Sequence, residues 1–527
     1  MRRMPAVALG GLIAAATATV AIAAPGAQTG PSSSQSPYVL RSQPGVVTKS
    51  ILTVGDSVND KPDGSPYRMV GIPDGLGAYD NGDGTFTLLM NHELTSSSGV
   101  VRAHGATGAF VSKWTIRKGD LAVLHGEDLI QTLNLWNPAL DAGAGDWEVV
   151  SSDPEARIDR LCSADLPPIS AFFNPATGNG YAGRIFTDGE ESGTQGRPFG
   201  HVLATGESYE LSPWIGNMSF ENVVAHPDTG NDTTVAMALD DGSATVGQQV
   251  YLHRGTKTDS GNPVQQAGLA NGSLYGLRVL GVPQSEFQKT DWSVGDQFEF
   301  ELVDVSGFAG VGGTTNNGAV DTLEEDSQAK GVTNFQRPED GAWDPRHPRD
   351  FYFVTTSSFG PLPAEGKTGE TRLWRLRFAD PTDPSQGGEL SLLVSGPVGT
   401  ADSPSGTGTQ SAGSPGPQML DNITVNDRGQ VLMVEDVGNQ EYLGGVWVYD
   451  IASGDLTEIA EHDPARFTTG APGFLTKDEE ASGIIPAPFL GAGRYLLDMQ
   501  AHYAIGGELV QGGQLLALHV PPGKKFK

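Results

Sequence analysis

The carboxylates of this chain gather in short motifs at the ends or starts of β-like runs. Asn91-His92-Glu93, Asp188-Gly189-Glu190-Glu191, Glu221-Asn222, Asp240-Asp241-Gly242, Arg337-Pro338-Glu339-Asp340, Asp421-Asn422, Glu435-Asp436 and Asp478-Glu479-Glu480 form the series. If such strand ends converge, they build an oxygen-rich cage, the donor set that suits Ca²⁺ and other hard cations. The metal candidates are Glu93, Glu190, Glu221, Asp241, Glu339, Asp421, Glu435, Asp436 and Glu480, with Asp188 beside them. Arg337 is the candidate for binding an anion, because a guanidinium offers phosphate a planar two-pronged fork and the proline that follows favours extended backbone. A structural ion pair with the neighbouring acids would use the same side chain. His92 and His502 are candidates for ligands or proton donors. There is no Gly-x-Ser-x-Gly elbow, Walker loop or His-Glu-x-x-His helix. A reaction here would therefore rely on a cation-activated water or oxide as nucleophile.

The elements that must position these residues are short strands separated by Gly, Asp, Asn and Pro turns, beginning near Leu52. A loose repeat runs through them. Glu221-Asn222 leads into Thr234–Asp241 and then Gln249–Leu252; Glu339-Asp340 leads into Phe351–Ser357 and then Arg372–Leu376; Asp421-Asn422 leads into Val431–Asp436 and then Gly445–Tyr449. Acid, strand, turn, strand, loop and aromatic strand, repeated, predicts an all-β fold, a β-propeller with long loop insertions, in which corresponding acids converge on the central axis. The insertions are expected near 258–328 and 395–416, and the propeller over 51–527.

The chain has 527 residues and a formal net charge of -30, from 33 Lys and Arg against 63 Asp and Glu. That balance argues against nucleic acid as a partner, since a phosphate backbone needs a basic patch. Met1-Arg2-Arg3 followed by the apolar, Ala-rich stretch 5–24 and Ala21-Ile22-Ala23 reads as a secretory signal over 1–27, by the general or the twin-arginine route. No later stretch is long and apolar enough to span a membrane, so a secreted or periplasmic monomer is expected, preceded by a flexible segment over 28–50. Cys162 is alone, which excludes an internal disulfide and makes a zinc–cysteine site improbable.

The ordered motifs resemble the PhoX-type alkaline phosphatases, secreted β-propeller enzymes that use an iron–calcium cluster. Asn91-His92-Glu93 is similar to the family's early Asn-His-Glu, and Phe335-Gln336-Arg337-Pro338-Glu339 to its Arg-Pro-Glu. Asp421-Asn422 through Glu435-Asp436 resembles its late Asp-Asn…Glu-Asp blade, Glu480-Ala481-Ser482-Gly483 its Glu-Ala-Thr-Gly, and Gln500-Ala501-His502 its closing Gln-His with one residue inserted. The resemblance implies catalytic roles for Arg337, on phosphate, and Glu339, on metal, with a small phosphate ester as substrate.

Two departures qualify it. Where the family has Thr-Cys-Glu-Glu with an iron-binding Cys, this chain reads Thr187-Asp188-Gly189-Glu190-Glu191; where it has His-Glu, this chain reads Phe220-Glu221. Cys162 resembles a different cysteine of the family and reads as a small buried residue. An all-oxygen site follows, with Ca²⁺ as its ion, and the missing thiol argues against iron. The alternatives are another metal-dependent hydrolase, a phosphodiesterase or lactonase-type esterase, and a non-catalytic calcium-binding propeller.

Overall fold

The computed structural model describes residues 25–242, 247–285, 292–315, 317–356, 371–396, 416–439 and 442–523. Its strands form six blades around a central channel. Four antiparallel strands, Pro73–Asp80, Thr85–His92, Phe110–Arg117 and Val123–Asp128, make the first blade. Blade 2 runs outward from the extended segment 161–165 through Ile185–Gly189, Pro198–Val202 and Glu207–Glu210, with Thr132–Asn137 added in parallel. Blades 3 and 4 share one nine-stranded sheet, joined where Gln297–Asp304 pairs with Gly388–Ser395; their inner strands are Phe220–Ala225 and Pro338–Trp343. Leu420–Val425 is innermost in blade 5 and Glu479–Pro486 in blade 6.

The ring closes with chain from its own beginning. Val47–Thr53 pairs with Gln511–His519 as an outer strand of blade 6, and Val39–Arg41 pairs with Leu456–His462 on blade 5. This corrects the flexible segment expected over 28–50. Ala27–Thr29 pairs in parallel with Val47–Thr53, and a Cβ on Gly30 would fall 2.1 Å from the Ser50 carbonyl oxygen. Low hydrophobicity misleads there, because backbone hydrogen bonds and close approach hold the segment. The expected insertion at 258–328 is corrected as well: Ser273–Val279 and Gln297–Asp304 are strands of blade 3. Along them Leu277 and Val279, and Phe298, Phe300 and Leu302, alternate with Arg278, Glu299 and Glu301, the pattern of half-buried outer strands. Most of 395–416 and residues 1–24 of the signal expected over 1–27 lie outside the described residues.

Apolar residues pack between adjacent blades, as in Trp374 against Trp292, Phe335 and Phe353. Complete burial of such a side chain stabilises the fold by roughly 1.5–3 kcal/mol. Polar residues appear where the inner strands face the channel.

Candidate metal and anion centre

Each inner strand breaks register at one place. The shift lies between Pro73 and Leu76 in blade 1, Phe220 and Asn222 in blade 3, Pro338 and Gly341 in blade 4, Leu420 and Ile423 in blade 5, and Ala481 and Ile484 in blade 6. In blade 2, Leu161 faces Glu190 and Asp165 faces Thr187, so one strand again carries an extra residue. A bulge re-aims a side chain that a regular pleat would send to the sheet face. Asp74, Cys162, Glu221, Glu339 and Asp421 sit within these bulges, and Glu480 stands just before the sixth. Glycine makes the bend feasible in blade 1: a Cβ on Gly75 would fall 2.5 Å from Ala164 N and 2.7 Å from Cys162 O.

The result is a cavity of about 200 Å³ lined by ten carboxylates: Asp74, Glu93, Glu191, Glu221, Asp241, Glu339, Asp421, Asp436, Asp478 and Glu480. Cys162, Arg160, Arg337 and His502 complete its charged and metal-ligating lining. Two tight donor groups stand out, Asp74–Glu93–Cys162 and Glu221–Glu339–Asp421, each with its ligand atoms within 4.8 Å of one another. Burial, and then repulsion from neighbouring carboxylates, pushes the carboxyls of Asp74 and Asp421 well above the usual range. Burial also raises Glu221 and Glu339, against the opposing influences of Ser163 on the first and Arg337 on the second. Glu191 is raised to about 8 and Asp436 to about 7 by the same burial. Glu339 Oε1 is buried without a hydrogen bond, although the Arg337 guanidinium lies 3.1 Å away. Crowded, poorly partnered carboxylates of this kind suit bound cations, which would hold them ionised.

Two arginines flank the acids. Arg337 donates from Nε and Nη2 to Asp241 at 2.9 and 2.7 Å. Arg160 donates from Nε to Glu93 at 2.7 Å and also pairs with Glu191. Their side chains keep 32% and 40% of their surface exposed, whereas those of Glu93, Asp241 and Glu339 keep 9% or less. The two guanidinium groups are thus more accessible than these three acids. Both arginines hold positive φ, 58° for Arg337 and 35° for Arg160, a strain that clusters at functional sites. His502 is pushed up to about 10 despite burial, by its hydrogen bond and charge interaction with Glu480.

The structure brings Glu93, Glu221, Asp241, Glu339, Asp421, Asp436, Glu480, Arg337 and His502 into one cavity. Glu190 and Glu435 do not line it. Glu190 accepts from Arg197 Nε and Nη2 and from Asp159 N. Glu435 accepts from the backbone of Gln418, Met419 and Gly445 and from Trp447 Nε1. Both lie on second strands, one position out from the axis, so their motifs are right for the blade and wrong for the strand. Asp188 is likewise taken by His201, at 2.8 Å. His92 is buried between the Gly71 carbonyl and Ser112, and burial lowers it to about 3, which keeps it neutral. Its neighbour Asn91 donates to the Cys162 carbonyl at 2.8 Å. Asp74, Arg160, Glu191 and Asp478 were not among the sequence candidates, although the motifs Glu190-Glu191 and Asp478-Glu479-Glu480 contained the signal for two of them. Cys162 is buried, as expected, but its thiol also lines the cavity and donates to Glu191 at 3.2 Å.

The sequence model of the family described as alkaline phosphatase PhoX matches residues 212–485, about half of the chain. Among solved structures, Pseudomonas fluorescens PhoX in complex with vanadate, a transition-state analogue, superposes with a TM-score of 0.60 at 12% identity, over 91% of this chain and 96% of that one. At that identity the likeness establishes a shared fold. A gluconolactonase from Xanthomonas campestris aligns with a TM-score of 0.37 at 11% identity, over 95% of this chain and 99% of that one. No curated protein sequence matches significantly.

Proposed function

The chain belongs to the PhoX alkaline phosphatase family, and from that premise we propose that it is an exported, metal-dependent phosphatase that hydrolyses small phosphate monoesters. One observation supports this most: the channel strands aim a cage of carboxylates and a thiol at one cavity, which two half-buried guanidinium groups also line. Export rests on the basic start and apolar stretch of the first 24 residues.

Glu221, Glu339 and Asp421 form an all-oxygen group suited to Ca²⁺. Asp74, Glu93 and Cys162 add a soft sulfur donor, which suits a transition ion such as iron. Cys162 thereby removes the argument against iron that the thiol-free Thr187–Glu191 stretch had raised. Bound cations would supply Lewis acidity toward phosphoryl oxygens and an activated water as nucleophile.

The chain's own residues do the rest. Arg337 and Arg160 orient the phosphoryl group and stabilise the negative charge on its oxygens as the ester bond breaks. Asp241, with two hydrogen bonds to Arg337, fixes the plane of that guanidinium and leaves Nη1 for the substrate. Gln500 donates to Asp74 at 3.0 Å and to Glu93 at 2.9 Å, turning both toward the cage. His502 keeps Glu480 ionised.

Arg337→Ala tests the reading. Its kcat/KM on p-nitrophenyl phosphate should fall by about 10²-fold or more, the usual cost of losing one donor to transition-state charge, with the melting temperature nearly unchanged. Wild-type turnover would reject the role.

A further inference from the structure

The inner strands that build the cage also build a second cavity on its far side. Gly75, Ser163, Asn222, Asp340 and Asn422 line it, and each follows directly a residue that lines the cage. The two spaces are thus separated by a floor about one residue thick on each strand. Asp340 ties this floor together: its Oδ1 accepts from Asn222 at 2.7 Å and its Oδ2 from Ile423 N at 3.1 Å.

The second cavity measures about 490 Å³, and apolar side chains such as Leu166, Trp343 and Ile485 form much of its wall. Its mouth is basic. Arg428 and Arg494 line it, and Arg346 lies alongside, since a Cβ on Gly429 would fall 2.0 Å from Arg346 Nη1. None of the three has a carboxylate within ion-pair distance among the described residues, and Asp427 at the same mouth is paired with none of them. Arg428 is clamped, with Nη2 donating to Tyr495 Oη at 2.8 Å, while its Nη1 is buried without a partner. At the floor, Asn422 is 1% exposed and its Oδ1 likewise accepts nothing.

In a chain of net charge -30, three arginines that pair with no carboxylate among the described residues, with Asp427 beside them, at the entrance to a largely apolar hollow are a specific arrangement. Buried donors without partners are costly unless a ligand satisfies them. We propose that this cavity is a second ligand site, which takes an organic anion with an apolar body. The anionic group, a carboxylate, sulfonate or phosphate, sits at Arg428 and Arg494, and the body lies against Trp343 and Ile485. An inner hydroxyl or amine would satisfy Asn422 Oδ1. The site does not depend on the chemistry of the cage.

The test is equilibrium titration of the metal-loaded full chain with 8-anilinonaphthalene-1-sulfonate, beside its uncharged analogue N-phenyl-1-naphthylamine. One saturable sulfonate site is expected, unaffected by Arg337→Ala in the cage. Binding should be about tenfold weaker in Arg428→Gln, the scale of one charge-assisted contact, and weaker in Arg494→Ser. The uncharged dye should bind about tenfold more weakly to the wild type and equally to both variants. Arg494 is exposed, so that variant decides the matter if Arg428→Gln, which loses its bond to Tyr495, fails to fold. Absent or unsaturable binding, equal affinity for the two dyes, or wild-type affinity in the variants would overturn the proposal. So would loss of the site in Arg337→Ala with Arg428 and Arg494 intact, which would place the dye in the cage.

Discussion

At the residue scale, the site turns on how few groups are spare. Asn91 holds the strand that carries Cys162, His92 is a neutral core residue, and Glu93 reaches the cage, so one three-residue motif supplies a brace, a packing group and a donor. Cys162 is the one sulfur donor in the candidate groups of the cage. Burial, and then the Glu93 and Glu191 carboxylates, push its thiol well above the ordinary range; a bound cation would reverse that preference, because a coordinating thiol gives up its proton. Cys162→Ser replaces a soft donor with a hard one at nearly constant volume. Metal analysis of that variant should show calcium retained and the transition ion reduced at least several-fold; unchanged content of both would remove sulfur from the donor set.

At the element scale, the device is a bulge in each of six inner strands. Pleated strands would alternate their acids between blade faces, whereas the bulges turn them onto the axis. Gly75→Val puts side-chain atoms into the backbone of Ala164 and Cys162. It should displace the Cys162 strand, lower the melting temperature by several degrees and reduce bound metal together with turnover. A variant with normal metal content would show that this bulge does not shape the cage. The propeller was legible in the sequence because the acid–strand–turn–strand unit repeats visibly through blades 3, 4 and 5. Which acid belongs to the innermost strand was less legible. Glu190 and Glu435 end second strands and look identical in sequence to cage acids, and the inner strand of blade 2 is the five-residue stretch around Cys162, too short to register as a strand. The closing strands before Thr53 escaped notice because register with Gln511–His519, more than 450 residues away, is a tertiary fact.

At the scale of the whole molecule, the cage stores charge repulsion that bound cations would relieve, and pH should reveal it. Glu191 and Asp436 have folded-state values of about 8 and about 7, above their unfolded values near 4. The native state therefore binds these protons more tightly than the unfolded chain. Their stabilisation is complete below about pH 4 and is lost as pH rises through 7 to 8. The melting temperature of chelated protein should fall over that window, and saturating Ca²⁺ should flatten the profile; the same slope with and without Ca²⁺ would mean that these acids are not ion sites. The most direct test of the central claim is metal content by plasma mass spectrometry on protein purified without chelators, paired with p-nitrophenyl phosphate turnover before and after EGTA. Calcium together with a transition ion, and turnover that EGTA abolishes and metal restores, is the predicted result. Metal-free protein that is fully folded, or metal-loaded protein with no turnover, would contradict the account.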